Sequence, residues 1–404
     1  NLTAIGKGAL AALGTGPTSV GNNNTAVGHA SMDGTIDGAN NTAIGYGSLS
    51  ADCVNDNVAV GNEALLAFTG SNATAVGSGA AASATSASEP TAIGKSALTN
   101  LTTGSENTAV GQSALAGITT AQNNVGVGNY AGFRMVGTSA TYGYANTILG
   151  NRAAINAATP NHCVAVGFNA LAGVTFDDAT CDYNNDPTVT HDANSNIAAG
   201  QRVFGTGIPE GSYIVSLNSS TSFELNQATT GGAVTNGTLT FCKNQGDANV
   251  AIGSYALDAV TTTSHNVGIG KFALSNITTG GESIAIGHNT LSTESNDVIG
   301  SVAIGFKALE DQNVNNSHNV AVGHSAALNL SSGTDSVYMG YKAGGVGVIT
   351  GANNVVLGTN AALNATGMNH SIVIGTNANN IGVNNAANNV LLGHAAGQDI
   401  AGGA

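Results

Sequence analysis

Apolar and polar residues alternate in short runs that return at a nearly constant interval along the chain. The unit reads Asn–Thr/Val–Ala–Val/Ile–Gly–x–x–Ala–Leu, as in residues 107–115. The three residues before each marker glycine alternate with the two-residue period of a β-strand, so Val58 and Val60 lie on one face and Ala59 on the other. The marker glycine should end the strand, where the bend needs a positive φ or close backbone contact.

The marker glycine occurs 19 times, and most copies follow one another after 16 to 18 residues. A period near 17 is too short for repeats built from pairs of helices, which need more than about 30 residues. It fits one coil of a β-solenoid with two short strands and two turns. We predict an all-β, parallel β-solenoid or β-roll of about 19 coils that stack into a rod of roughly 90 Å. Representative corner glycines are Gly45, Gly61, Gly94, Gly111, Gly253, Gly270, Gly287 and Gly305.

Both faces of the predicted strands are apolar, so both should be buried. We assign the Val/Ile face to the inside of the coil. The Ala face would then pack on another subunit, because small side chains permit close approach, and the simplest partner is an identical chain. The predicted subunit-interface residues are Ala43, Ala59, Ala75, Ala92, Ala109, Ala251, Ala285 and Ala303.

Two further positions recur in register. An asparagine precedes many marker glycines by four residues and should form a ladder of stacked side chains, with Ala73 as an interruption. The leucine that follows the glycine by four residues should form a second ladder. Examples are Asn41, Asn57, Asn107, Asn124 and Asn146 for the first, and Leu98, Leu115, Leu257 and Leu274 for the second.

Residues 176–246 lack the repeat and divide the chain into solenoid repeats at 1–175, an inserted module and further repeats at 247–404. Alternating strand candidates within the module, at 202–204, 212–217, 222–225 and 238–241, predict a small all-β domain. Insertions on a repetitive scaffold often carry binding, and this one concentrates aromatic residues. Tyr183 and Tyr213 are candidate receptor contacts. The alternative is that the aromatic residues form the core of the module.

Cysteine spacing predicts one covalent link. Cys181 and Cys242 bracket the module and would suit a disulfide where the chain leaves and re-enters the rod. The alternative is a pair of reduced, half-buried thiols. Cys53 and Cys163 are about six coils apart, roughly 30 Å, which is too far for them to pair with each other.

Composition narrows the function classes. Charged residues make up 8% of the chain and hydrophobic residues 42%, with a net charge of −14, and the regular apolar spacing argues against disorder. Nine scattered cations argue against nucleic acid and anionic membranes as partners, and no apolar run is long enough to span a bilayer. Asp182-x-Asn184-x-Asp186 has the opening spacing of a calcium loop, but Pro187 replaces the required glycine. We predict no metal, no cofactor and no catalytic site.

Histidines follow four of the marker glycines, at His29, His288, His324 and His394. Three copies around a trimer axis would place three imidazoles together, which is a set of ligands that binds transition metals. Other coils carry lysine, tyrosine, asparagine or serine at this position, so we interpret it as a solvent-exposed site.

The iterated Asn-Thr-Ala-Val-Gly and Ser-Val-Ala-Ile-Gly cores, the latter at residues 301–305, resemble the head repeats of trimeric autotransporter adhesins and similar arrays in bacteriophage tail fibres. The resemblance implies a β-roll homotrimer with a surface that binds host cells. The period of about 17 and the lack of a heptad stalk or membrane anchor favour the tail fibre. We therefore expect a structural fibre or adhesin shaft in the virion or at a cell surface, with a host receptor or glycan and other virion proteins as partners. The alternatives are the head of a bacterial adhesin and a self-assembling extracellular filament.

Overall fold

The computed structural model describes most of the chain. The described residues are 1–15, 21–135, 143–157, 160–173, 175–209, 212–242, 246–260, 263–277, 280–292, 298–312, 318–345, 349–380 and 387–398.

Short strands recur along the chain and are interrupted once by longer ones. The first solenoid strands are β1 (Leu2–Ile5), β2 (Asn24–Val27), β3 (Thr42–Ile44), β4 (Val58–Val60), β5 (Thr74–Val76), β6 (Thr91–Ile93), β7 (Thr108–Val110), β8 (Val125–Val127), β9 (Thr147–Leu149) and β10 (Val164–Val166). The module contains β11 (Thr175–Asn184), β12 (Thr188–Thr190), β13 (Val203–Phe204), β14 (Ile214–Ser219), β15 (Ser222–Leu225) and β16 (Ala233–Cys242). The later strands are β17 (Val250–Ile252), β18 (Val267–Ile269), β19 (Gly280–Gly281), β20 (Ile284–Ile286), β21 (Val298–Ile299), β22 (Val302–Ile304), β23 (Val320–Val322), β24 (Val337–Met339), β25 (Val355–Leu357), β26 (Ile372–Ile374) and β27 (Val390–Leu392).

The chain divides into two compact units. The first consists of residues 1–165 and 173–244, and the second of residues 166–172 and 245–404. The first unit holds solenoid strands β1–β9 and the module, and the second holds β17–β27.

The predicted parallel β-solenoid of about 19 coils is confirmed. Within each unit, successive strands pair in parallel and in register, as Ala92 with Ala109 in β6 and β7, and Ala285 with Ala303 in β20 and β22. Each coil supplies one principal strand to this sheet, rather than the two that the period predicts. A second, shorter parallel strand pair forms between β19 and β21, and isolated parallel bridges join Leu330 to Ile349 and Asn369 to Ala387.

The arm that follows each marker glycine has a backbone of alternating handedness instead of a second strand. Ser96 and Leu98, two and four positions after Gly94, have φ of 56° and 52°. Left-handed conformation costs an L-residue roughly 1–2 kcal/mol, so the arm needs support from its neighbours. Ser96 N donates to the Ser78 oxygen of the preceding coil at 2.9 Å, and Leu98 N donates to the Ala114 oxygen of the following coil at 3.0 Å.

The marker glycines occupy the corner that joins strand and arm. Their φ values lie between 122° and 140°, a region that L side chains rarely adopt. At Gly94, an added Cβ would also lie 2.5 Å from the Gly111 carbonyl oxygen of the next coil. Both the conformation and the close stacking therefore require glycine.

A buried ladder of side-chain amides runs beside the strands. The Asn41 side-chain oxygen accepts a hydrogen bond from Asn57 N at 2.9 Å, and its amide nitrogen donates to the Val54 oxygen at 2.8 Å. The ladder stops where Ala73 supplies no acceptor. The next position is Pro90, which has no N–H, so this break leaves no backbone donor unpaired. The predicted ladder is thus present. Where it is interrupted, the missing acceptor of Ala73 coincides with the missing donor of Pro90.

The inserted module is a six-stranded antiparallel sheet in the order β13-β16-β11-β12-β15-β14, as the predicted all-β insertion implies. Its core contains Val189, Phe223, Leu239 and Phe241. The sequence patterns did not predict β11 and β12, because β11 is rich in aspartate, which strands disfavour. Asp178 lies in β11 and is nevertheless buried. Although burial raises its pKa, hydrogen bonds from Thr180 and Asn194 hold that pKa below the ordinary value.

Candidate functional site: the outward surface of the coils

The two strand faces have the opposite orientation to the one predicted. Ala59 and Ala109 are fully buried within a single chain, whereas Ile44 is 41% exposed and Val58 is 36% exposed. The coil interior is closely packed here, since a Cβ added at Gly126, an equivalent position, would lie 2.6 Å from a Leu115 side-chain carbon. The assignment of the Ala face to a subunit interface is therefore wrong. It fails equally for the other residues of that set, Ala43, Ala75, Ala92, Ala251, Ala285 and Ala303, which are all buried.

Two rows of side chains point outward from each unit of the solenoid. We define the first outer row as the residues three positions before the marker glycines and the second outer row as those one position before. The second outer row is aliphatic or methionine in every coil, from Ile5 to Leu392. Its exposed members include Ile44, Val76, Ile93, Val127, Leu149, Ile252, Ile304 and Met339. Within each unit the row is a continuous apolar surface that a single chain leaves in contact with solvent.

The first outer row differs between the units. In the first unit it is mostly threonine, as at Thr42 and Thr108. In the second unit it is Val or Ile in each coil, from Val250 to Val390. The outward sheet surface of the second unit is therefore apolar in both rows, whereas that of the first unit has one mixed row.

An aromatic column lies just past the corner glycines of the second unit. Successive ring centroids are 4.9 to 6.2 Å apart, and Phe168, Phe306 and Tyr341 are each more than 40% exposed. Edge-to-face and offset-stacked rings at these distances attract one another by about 0.5–1.5 kcal/mol per pair. Three lysines hold their ammonium groups 4.9 to 5.8 Å from rings of the column. The members are Phe168, Tyr255, Phe272, His288, Phe306, His324 and Tyr341.

Three of the four histidines that follow marker glycines, His29, His288 and His324, therefore contact aromatic rings as well as being exposed. His288 stacks on Phe306 at 5.5 Å, and His29 stacks on Tyr46 at 5.4 Å. Within the described ranges, no three His, Cys, Asp or Glu side chains are placed to share a metal ion.

The predicted disulfide between Cys181 and Cys242 is wrong. Both residues are buried free thiols, and burial raises the pKa of Cys181 to about 12 and that of Cys242 to about 11. The strand register explains the separation: Cys242 faces Thr175, whereas Cys181 faces Gly237, five residues from Cys242 along β16. Five positions along a strand span roughly 16 Å, which is too far for a disulfide.

The two candidate receptor tyrosines have different environments. Tyr183 belongs to the module core, 5% exposed, and its hydroxyl donates to the Thr206 carbonyl oxygen. Its assignment as a receptor contact is therefore wrong, and the alternative of a core role holds for this residue. Tyr213 is half-buried at the edge of the sheet, and its backbone forms an isolated antiparallel bridge with Arg202. Its role in recognition stays a prediction.

No family model, no curated protein and no solved structure matches this chain at a significant level. Among the described residues, no helix has the length and hydropathy of a membrane-spanning segment.

Proposed function

We propose that the protein is the structural shaft of a fibre or adhesin, in which three identical chains pack through their outer rows. The observation that carries the proposal is the second outer row, which is aliphatic or methionine in every coil of each unit. Isolated exposed apolar side chains are ordinary in soluble proteins, but a contiguous apolar surface marks an interaction site.

The size and the repeat of this surface favour a partner with the same repeat. In the second unit alone, nine coils with two half-exposed aliphatic side chains each present on the order of 900 Å², about one side of a standard protein–protein interface. The side chains recur at the strand spacing of about 4.8 Å. A second copy of the same solenoid can match that spacing coil for coil. Three copies follow from the resemblance to trimeric adhesin heads.

The setting we propose is a bacteriophage tail fibre or appendage, exposed on the virion. The resemblance to tail-fibre arrays and the period of about 17 residues support this setting over a bacterial adhesin head. The shaft would present the inserted module and other lateral surfaces to a host receptor or glycan and would join other virion proteins. The role is structural rather than catalytic, because the recurring residues serve coil stacking or outward packing.

The test is the native mass of the full chain with an altered outer row. Wild type is expected to have the mass of three chains. Replacing both Ile269 and Ile304 with Glu should give monomers, because six carboxylates would otherwise meet in an apolar interface. Their circular dichroism should stay that of the wild type, since both side chains point outward. Thr359→Glu, an exposed change outside the outer rows, is the matched control and should remain trimeric.

Two results would contradict the proposal. A wild-type chain that is monomeric at micromolar concentration would remove the basis for a multi-chain shaft. A double variant that stays trimeric would show that the chains associate through another surface.

A further inference from the structure

A cleft on the first unit brings two arginines and two aromatic rings together. Its volume is about 300 Å³, at the lower end of the range for small-molecule sites, and Tyr130, Phe133, Arg134, Arg152, Ile155 and Asn156 line it. The rings of Tyr130 and Phe133 meet edge to face at 5.0 Å. In this geometry one ring presents its edge to the face of the other, so the faces of the ring that presents its edge are not covered by its partner.

Arg134 is held in place by neutral partners. It is half-buried, and its Nη1 donates to the Asn156 side-chain oxygen at 3.1 Å. Its guanidinium carbon lies 4.1 Å from the centroid of the Phe204 ring, which belongs to the module. These contacts fix the side chain without neutralising its charge.

Arg152 is exposed and belongs to the next coil. The salt bridges in the described part of the chain are Lys307 with Glu310 and, when His318 is protonated, His318 with Asp335, so neither cleft arginine has a carboxylate partner there. The chain carries 23 acidic residues against 9 cations. The cleft, which has two arginines and no carboxylate in its lining, is therefore locally cationic on a protein whose net charge is negative.

We propose that this cleft binds an anionic sugar residue, with a carboxylate or a phosphate ester as its charged group. Guanidinium groups bind both anions through paired N–H donors, and an uncovered aromatic face accepts the apolar side of a sugar ring. The inference deepens the proposed function, since it names the chemistry of a glycan that the shaft would contact. Two clefts on the module lack this combination: one is lined without any Lys or Arg, and the other contains Asp182 and Asp186.

The test is calorimetric titration of the full chain with defined probes. A galacturonic acid trimer supplies carboxylates, glucose 6-phosphate supplies a phosphate ester, and a galactose trimer is the neutral control. At least one anionic probe is expected to bind, about tenfold or more tightly than the neutral trimer, and more weakly as salt is raised. Arg152→Gln should weaken that binding about tenfold or more, because one charge-assisted contact is lost. Lys95→Gln, a change at an exposed cation outside the cleft, should leave it unchanged.

Several outcomes would contradict the proposal that this cleft is a binding site. Equal binding of neutral and anionic trimers, absence of binding by both anionic probes at millimolar concentration, or unaltered binding by Arg152→Gln would each do so. Inorganic phosphate or an acidic peptide that binds as tightly as the sugars would exclude the sugar component. The native mass of the same samples reports the trimer independently, so failure of the cleft is distinguishable from failure of the shaft.

Discussion

Coils of the first unit and the last coils of the second unit fill the same interior with different side chains. In the first unit the inward strand residue is usually alanine and the residue four positions after the glycine is usually leucine, as with Ala59 and Leu65. In the second unit Tyr338 takes the alanine position and Gly344 takes the leucine position. A Cβ added at Gly344 would lie 2.7 Å from a carbon of the Tyr338 ring.

The same exchange recurs at Leu391 and Gly397, where an added Cβ would lie 2.8 Å from a leucine methyl. The two interior positions therefore share one volume, and either can supply the larger side chain. The corner glycine stays constant, and the two interior positions are apolar in all coils except that of Gly375, where the buried Asn379 takes the leucine position. A solenoid of this type constrains total interior volume, so its outward positions are free to differ between units.

The largest predicted effect comes from a charge inside the coil. Ala109→Glu should abolish the β-sheet circular dichroism of the first unit or give insoluble protein, because an unpaired buried carboxylate costs several kcal/mol. Val110→Glu, on the opposite face of the same strand, should keep the spectrum of the folded chain. The reverse result, with Ala109→Glu folded and Val110→Glu unfolded, would restore the orientation that the alternation alone favours.

The sequence was sufficient for the strand, the period and the corner, because each depends on residues close together in the chain. It did not determine which face is inside, because both faces are apolar and alternation does not distinguish them. One signal was present: Thr42 and Thr108 share a face with valine and isoleucine, and a polar residue in that row indicates solvent. The outward orientation of these two rows could therefore have been predicted from the sequence. The separation of Cys181 from Cys242 was not, since it follows from the register of β11 and β16.

The arginine cleft also could not be predicted from the sequence. Arg134 and Arg152 are 18 residues apart, but their convergence depends on coil stacking, and the contact with Phe204 depends on how the module packs against the coils of the first unit. The aromatic column is an intermediate case. Its rings occupy recurring positions after the glycines. It was not predicted because other coils carry polar residues at the same positions.

The second prediction sharpens the volume comparison with a double-mutant cycle. Tyr338→Ala should destabilise its coil by about 3–5 kcal/mol through a cavity, and Gly344→Leu by roughly 1–3 kcal/mol through overpacking. The double variant recreates the alanine–leucine pair of other coils and should be more stable than either single variant. Leucine is compatible with the backbone at this position, since Gly344 has φ of 62° and Leu98 in the equivalent place has 52°.

The measurement for this cycle is hydrogen exchange of residues 337–344, because solenoids open locally and do not unfold in one step. Exchange in the double variant should be slower than in both single variants. Strictly additive effects in the cycle would mean that the two positions do not share one volume.

The smallest predicted effect concerns the partly buried carboxyl group of Asp258. It shows whether the coil disfavours a buried charge as well as excess volume. Burial raises the pKa of Asp258 to about 6, and its Oδ1 has no hydrogen-bond partner. The folded state therefore holds a proton that the unfolded state, with a pKa of about 3.9, releases. Stability should rise as pH falls from about 7 towards 4 and be lost as pH increases through about 6.

Replacing Asp258 with Asn removes this dependence, because the amide is neutral at every pH in that range. At pH 8 the variant should melt roughly 2 °C higher than wild type, since partial solvent screening limits the gain to about 1 kcal/mol. At pH 4.5, which is still above the unfolded pKa of about 3.9, the difference in melting temperature should fall to roughly half or less of its value at pH 8. Glu282→Gln, a change at an exposed carboxylate of the same unit, should shift neither value. If Asp258→Asn gave the same advantage at both pH values, then shape or hydrogen bonding, and not charge, would limit what this part of the coil accepts.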